Sequence, residues 1–107
     1  IFKHRISNGH TPGQLLTTVK GLNESITFCG DLIPGIPWVH LPITMGYDRY
    51  PELLIDEKKE FYQEIDLERN LLFFTHDIDF CAATISRDEK GKYRCHKKIK
   101  EFKNYEL

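Results

Sequence analysis

Only one stretch of this 107-residue chain carries a helical pattern, and it stands between two β-rich arms. Residues 56–69 (DEKKEFYQEIDLER) open on Asp56 as an N-cap with acids in the first turn. Leu54, Phe61 and Ile65 fall near one face, with Lys58, Lys59, Gln63 and Glu64 outside it. Before this segment come a short strand at 1–6, the β-branched run LLTTVK at 15–20 and SITFC at 25–29. After it come LLFF at 71–74, then FCAATIS and KYRCHKKIK, which flank Arg87–Gly91 as a hairpin. A lone helix between the third and fourth strands dictates a crossover that returns the chain parallel to the strand it left. Segments 14–20 and 25–30 form a hairpin, so the first, third and fourth strands run in the same sense. The expected class is α+β, one sheet with one packed helix, in a single domain over residues 1–107.

Each of those three strands is followed by a metal-ligand type of residue: His10, Asp31 and His76. His10 lies between Gly9 and Thr11-Pro12-Gly13-Gln14. That tetrapeptide suits a type II turn, with proline at the second position and glycine at the third. All three side chains are expected at one edge of one sheet, outside the carboxyl ends of the strands, where open α/β sheets bind ligands. Two imidazoles and a carboxylate suit zinc, and also iron or manganese. A carboxylate has two oxygens and can bridge two ions, leaving one histidine to terminate each.

Residues 32–50 show no sustained period and hold Pro34, Pro37 and Pro42 with Trp38, Tyr47 and Tyr50. A loop of this length with apolar and aromatic content is expected to lie over something. Fifteen basic and sixteen acidic side chains, net charge −1, give no footprint for nucleic acid or an anionic membrane surface. No apolar run reaches the ~20 residues that span a bilayer, and no signal peptide opens the chain. Cys29, Cys81 and Cys95 are odd in number and lack CxxC spacing, which fits reduced thiols and a cytoplasmic location. The adjacent pair Cys95-His96 is read as structural.

GHTPG at 9–13, an apolar strand into Gly30-Asp31, and an apolar strand into FFTHD at 73–77 together resemble the second half of the metallo-β-lactamase fold hydrolases. The resemblance covers nearly the whole chain. It implies the C-terminal half of an αβ/βα sandwich with two zinc ions, iron or manganese being the alternatives. His10 then binds one ion, Asp31 bridges both and His76 binds the other. It also implies that loop 32–50 skirts the site, with Trp38, His40 and Tyr47 lining a small-molecule substrate, His40 being equally a loop histidine facing water. Asp77 is expected either to orient a metal ligand or to serve as a turn residue. The family's earlier H-x-H-x-D-H motif is absent, since the histidines stand at 4, 10, 40, 76 and 96. With the non-methionine start at Ile1, this absence leads to the expectation of a fragment whose N-terminal half lies elsewhere.

Three ligands over two metal positions fall short of the three per ion that zinc enzymes normally supply. The chain alone is therefore expected to bind metal weakly and catalyse poorly. It is also expected to expose an apolar sheet face that takes the missing half or self-associates. The resemblance implies hydrolysis of an ester, thioester or lactone by the intact protein. The alternative is a non-catalytic fragment that pairs with another chain.

Overall fold

The computed structural model describes all 107 residues. Six strands form one sheet in sequence order: β1 (Phe2–Ser7), β2 (Gln14–Lys20), β3 (Ser25–Phe28), β4 (Asn70–Phe73), β5 (Ala82–Arg87) and β6 (Tyr93–Ile99). The β3–β4 pair is parallel and every other pair is antiparallel. Helix α1 (Pro51–Glu64) is the crossover between β3 and β4. The α+β class and the shared sense of β1, β3 and β4 are as the sequence leads one to expect.

Strand alternation gives the sheet two unlike faces. On one, Leu16, Leu72, Ala83, Ile85 and Tyr93 join Leu54, Phe61 and Tyr62 of α1 and Leu32, Ile33 and Val39 of the loop between β3 and α1 in one buried cluster. The Tyr62 and Tyr93 rings lie 4.5 Å apart, and the Tyr62 hydroxyl donates to the Val39 carbonyl at 2.8 Å. On the other face, the cross-strand partners Ile6 and Leu15 stay 65% and 55% exposed beside exposed Phe2 and Phe28. The chain's end covers the middle of this second face. Phe102 stacks on Phe73, and Tyr105 donates to Glu24 Oε1 at 2.6 Å and accepts from Lys97 Nζ at 2.9 Å.

The helix departs from its expected limits. It starts at Pro51, with Tyr50 as N-cap, and ends at Glu64, rather than spanning 56–69 with Asp56 as cap. Proline's fixed φ and missing N–H suit the first helical position. At the far end Ile65 turns extended, and the Asp66 carbonyl accepts from the Arg69 and Asn70 amides. The buried face is Leu54, Lys58, Phe61 and Tyr62, an i, i+4, i+7, i+8 row, so Lys58 lies inside rather than outside. Strand β3 closes at Phe28, two residues short of its expected end, and the following loop contains a 3-10 turn at Ile36–Trp38.

Candidate metal centre

A single offset places the three ligand-type residues. His10 follows the last residue of β1 by three positions, Asp31 that of β3 and His76 that of β4. Because Phe28 pairs with Phe73 in parallel register, the loops leaving β3 and β4 start level with one another. Strand β2 runs oppositely, so its first residue, Gln14, sits at the same edge opposite Ser7. Its side-chain oxygen accepts the Asp31 amide at 2.7 Å and ties the first loop to the second.

Helix α1 fixes the loop that carries His10. Glu57 accepts from the Ser7 hydroxyl at 3.0 Å and from the Asn8 and Gly9 amides at 2.8 Å each. The His10 carbonyl accepts the Arg49 amide, and the Gly9 carbonyl accepts the Tyr50 amide. Gly9 lies so close to the helix that an added Cβ would stand 2.4 Å from the Leu54 Cα. Gly13 has φ +82°, the value a type II turn needs at its third position. The proline-glycine turn is thus formed as the sequence indicates.

The three side chains meet through one carboxylate. His10 Nε2 lies 3.2 Å from Asp31 Oδ2, and His76 Nε2 lies 3.0 Å from Asp31 Oδ1. No three His, Cys, Asp or Glu side chains converge on one point; the carboxylate is shared, one oxygen to each imidazole. Two ligand atoms on a tetrahedral zinc, each at its usual bond length, stand about 3.3 Å apart. Both observed separations are close to that, so this donor set fits two ions more naturally than one. His76 is 61% exposed and His10 largely buried, so the His76 side is the open one.

Asp48, 1% exposed in its side chain, sets the state of His10. Its Oδ1 accepts from His10 Nδ1 at 2.7 Å and its Oδ2 accepts the Met45 amide at 2.7 Å. This network assigns a proton to Nδ1, which leaves the Nε2 lone pair aimed at a carboxylate oxygen. Two lone pairs in that position require a cation between them, either a second proton or a metal ion. A carboxylate on the far nitrogen is the usual support of a metal-bound histidine. Nothing in the sequence marks Asp48, Glu57 or Gln14, because each acts on a partner distant in the chain.

The remaining expected residues divide. The Tyr47 ring stands edge-on to His10, centroids 6.2 Å apart, and is 77% exposed. Trp38 packs against the core cluster. His40 lines a cleft of about 430 Å³ with Ile36, Val39, Tyr93, Cys95 and three cationic side chains, and this cleft contains none of the three ligand-type residues. Asp77 spends both oxygens on backbone amides, Oδ2 on Ile36 and Oδ1 on Asp79 and Phe80. These bonds hold its carboxyl below the ordinary range against the opposing effect of burial. It staples two loops together and orients neither imidazole. All three cysteines are free, and Cys95 packs on the core.

Solved structures share this arrangement of elements. A probable metal-dependent hydrolase from Staphylococcus aureus superposes with a TM-score of 0.73 at 24% identity, over 89% of this chain and 35% of its own. AidC, a dizinc quorum-quenching lactonase bound to its product, gives 0.72 at 21%, over 96% and 35%. The hydrolase AbOPH of the β-lactamase superfamily gives 0.75 at 20%, over 96% and 35%. The chain has part of the metallo-β-lactamase fold. It spans about a third of the length of these metallo-β-lactamase-fold neighbours. No protein-family model matches the sequence, and no curated protein matches it. No helix is long and apolar enough to cross a membrane.

Proposed function

We propose that this chain supplies one half of a binuclear metal centre in a metal-dependent hydrolase. The observation that carries the reading is the Asp31 carboxylate held between two imidazoles, one of which has its far nitrogen bound to buried Asp48. His10 would hold one ion through Nε2, His76 the other through Nε2, and Asp31 both. When bound, a pair of divalent cations, zinc or alternatively iron or manganese, supplies Lewis acidity and lowers the pKa of water toward neutrality.

This chain's own residues do the rest by position. Asp48 keeps His10 in the tautomer that presents a lone pair, and Gln14 and Glu57 fix the two loops so that little rearrangement accompanies binding. Tyr47, exposed beside His10, would meet a small-molecule substrate with an ester, thioester or lactone bond. The exposed apolar face carrying Phe2, Ile6, Leu15 and Phe28 would receive the N-terminal half of the sandwich or a second copy of this chain. This reading sets the chain in the cytoplasm, where cysteines stay reduced.

The test is hydrolysis of an aryl ester, a thioester and a lactone by the intact polypeptide, with and without chelator. The reading requires activity that chelation abolishes and zinc restores, and that His76→Ala lowers. Activity indifferent to both chelator and His76→Ala contradicts it.

A further inference from the structure

Lys58 is the most fully enclosed charge in the molecule, with 0% of its surface exposed, and the centre described above makes no direct use of it. Its ammonium lies 2.9 Å from the Trp38 carbonyl, 2.8 Å from that of Ile43 and 3.4 Å from that of His40. Three N–H groups thus face three carbonyls of the segment between β3 and α1, which is the full donor capacity of an ammonium. Five residues after Ile43, the same loop reaches Asp48. That short span is closed by the Asp48 amide on the Met45 carbonyl and by the Met45 amide on Asp48 Oδ2.

Adjacent residues of α1 therefore grip both sides of His10. Glu57 holds the segment that carries His10, and Lys58 holds the loop that carries its hydrogen-bond partner, Asp48. We propose that Lys58 is a positioning residue: by caging the 38–43 carbonyls it places Asp48, and through Asp48 it sets the tautomer of His10. Burial lowers the pKa of this ammonium to about 8 against the opposing pull of Asp48, so it remains mostly charged at neutral pH. An apolar side chain there would take away the partner of the part-buried Trp38 and Ile43 carbonyls, and the loop would shift to find water. The consequence for metal affinity rests on the metal-centre reading above; the consequence for the tautomer does not.

The experiment is long-range ¹H–¹⁵N NMR of the histidine rings in the metal-free chain, for wild type, Lys58→Met, Asp48→Asn and the double variant, followed by zinc titration of each. The proposal expects wild-type His10 to be protonated at Nδ1. In a folded Lys58→Met protein it expects a mixed tautomer and a tenfold or greater loss of zinc affinity. In the Asp48→Asn background it expects Lys58→Met to add nothing, because the lysine acts through that carboxylate. A folded Lys58→Met chain with the wild-type His10 tautomer overturns it. A changed tautomer with no zinc bound by any of the four proteins supports it and overturns the metal reading instead. Should Lys58→Met fail to fold, hydrogen exchange of the Ile43 and Met45 amides in wild type decides. Protection within tenfold of the Leu54 amide supports the cage, and free-loop exchange overturns it.

Discussion

Replacing Asp48 by asparagine should separate metal binding from folding. The carboxylate accepts two hydrogen bonds at 2.7 Å, one from His10 Nδ1 and one from the Met45 amide. An asparagine can still accept the Met45 amide with its oxygen, which turns its NH₂ toward His10. Nδ1 must then accept, so the ring proton moves to Nε2 and points at Asp31 Oδ2, 3.2 Å away. The Nε2–H then meets Asp31 Oδ2 with no added proton or ion needed between ring and carboxylate, so the stability of the metal-free chain should stay within about 1 kcal/mol of wild type. The lone pair that would hold an ion is now occupied. Losing the outer partner of a metal-bound histidine costs about 10–100-fold in affinity, equivalent to about 1.4–2.7 kcal/mol. Asp48→Ala is the contrast: it orphans two buried donors and should destabilise by about 2–4 kcal/mol. Urea denaturation measures the first quantity, and zinc competition with a chelating dye measures the second. Wild-type zinc affinity in Asp48→Asn, or a stability loss equal to that of Asp48→Ala, would refute the reasoning.

Glu57→Ala should destabilise the chain by about 2 kcal/mol, since three donors at 7–9 lose a carboxylate; a melting temperature unchanged within 2–3 °C, roughly half a kcal/mol at this size, contradicts this. Gly9→Ala should cost about 1–3 kcal/mol by overpacking against the Leu54 backbone, with denaturant midpoints as the check. Stability should rise modestly from pH 8 to 9 and fall above it. Burial holds Lys58 at about 8 against an ordinary 10.5, so in that interval the unfolded chain binds more protons, worth at most about 1.4 kcal/mol per pH unit. Above pH 9 burial keeps the Cys29 thiol protonated in the fold, and the Cys95 thiol up to about 11. The folded state then binds more protons and stability is lost. Urea midpoints at half-unit pH steps should show the rise in wild type and not in Lys58→Met. If the uncovered sheet face drives association, the Ile6→Lys/Leu15→Glu pair should sediment as monomer where wild type associates with concentration.

The parts of this molecule that repeat a local rule were legible in its sequence. Glycine and proline at 9–13 announced the turn that presents His10, and β-branched runs announced the strands. The common sense of β1, β3 and β4 followed from one hairpin and one crossover, which is enough to bring residues 10, 31 and 76 to one edge. The helix begins ahead of its sequence-based limit because Asp56, a capping type of side chain, caps nothing, and the first turn rests on the fixed φ of Pro51 with no side-chain cap. Lys58 defeats hydrophobic patterning outright, because its burial is decided by carbonyls fifteen to twenty residues away. Asp48 and Gln14 were hidden for the same reason, as a carboxylate and an amide in loop-like sequence gain meaning only from spatial partners. Asp77 follows a ligand-type histidine in sequence, but its oxygens turn back to backbone amides.

The claim that His10, Asp31 and His76 hold metal is tested most directly by titrating Mn²⁺ into ¹⁵N-labelled chain and mapping paramagnetic broadening, beside the His10→Ala/Asp31→Ala variant. The account predicts broadening centred on residues 10, 31 and 76, at a weak affinity that reflects the small number of ligands per ion, and its loss in the variant. Broadening centred elsewhere, or the same broadening in the variant, would contradict it.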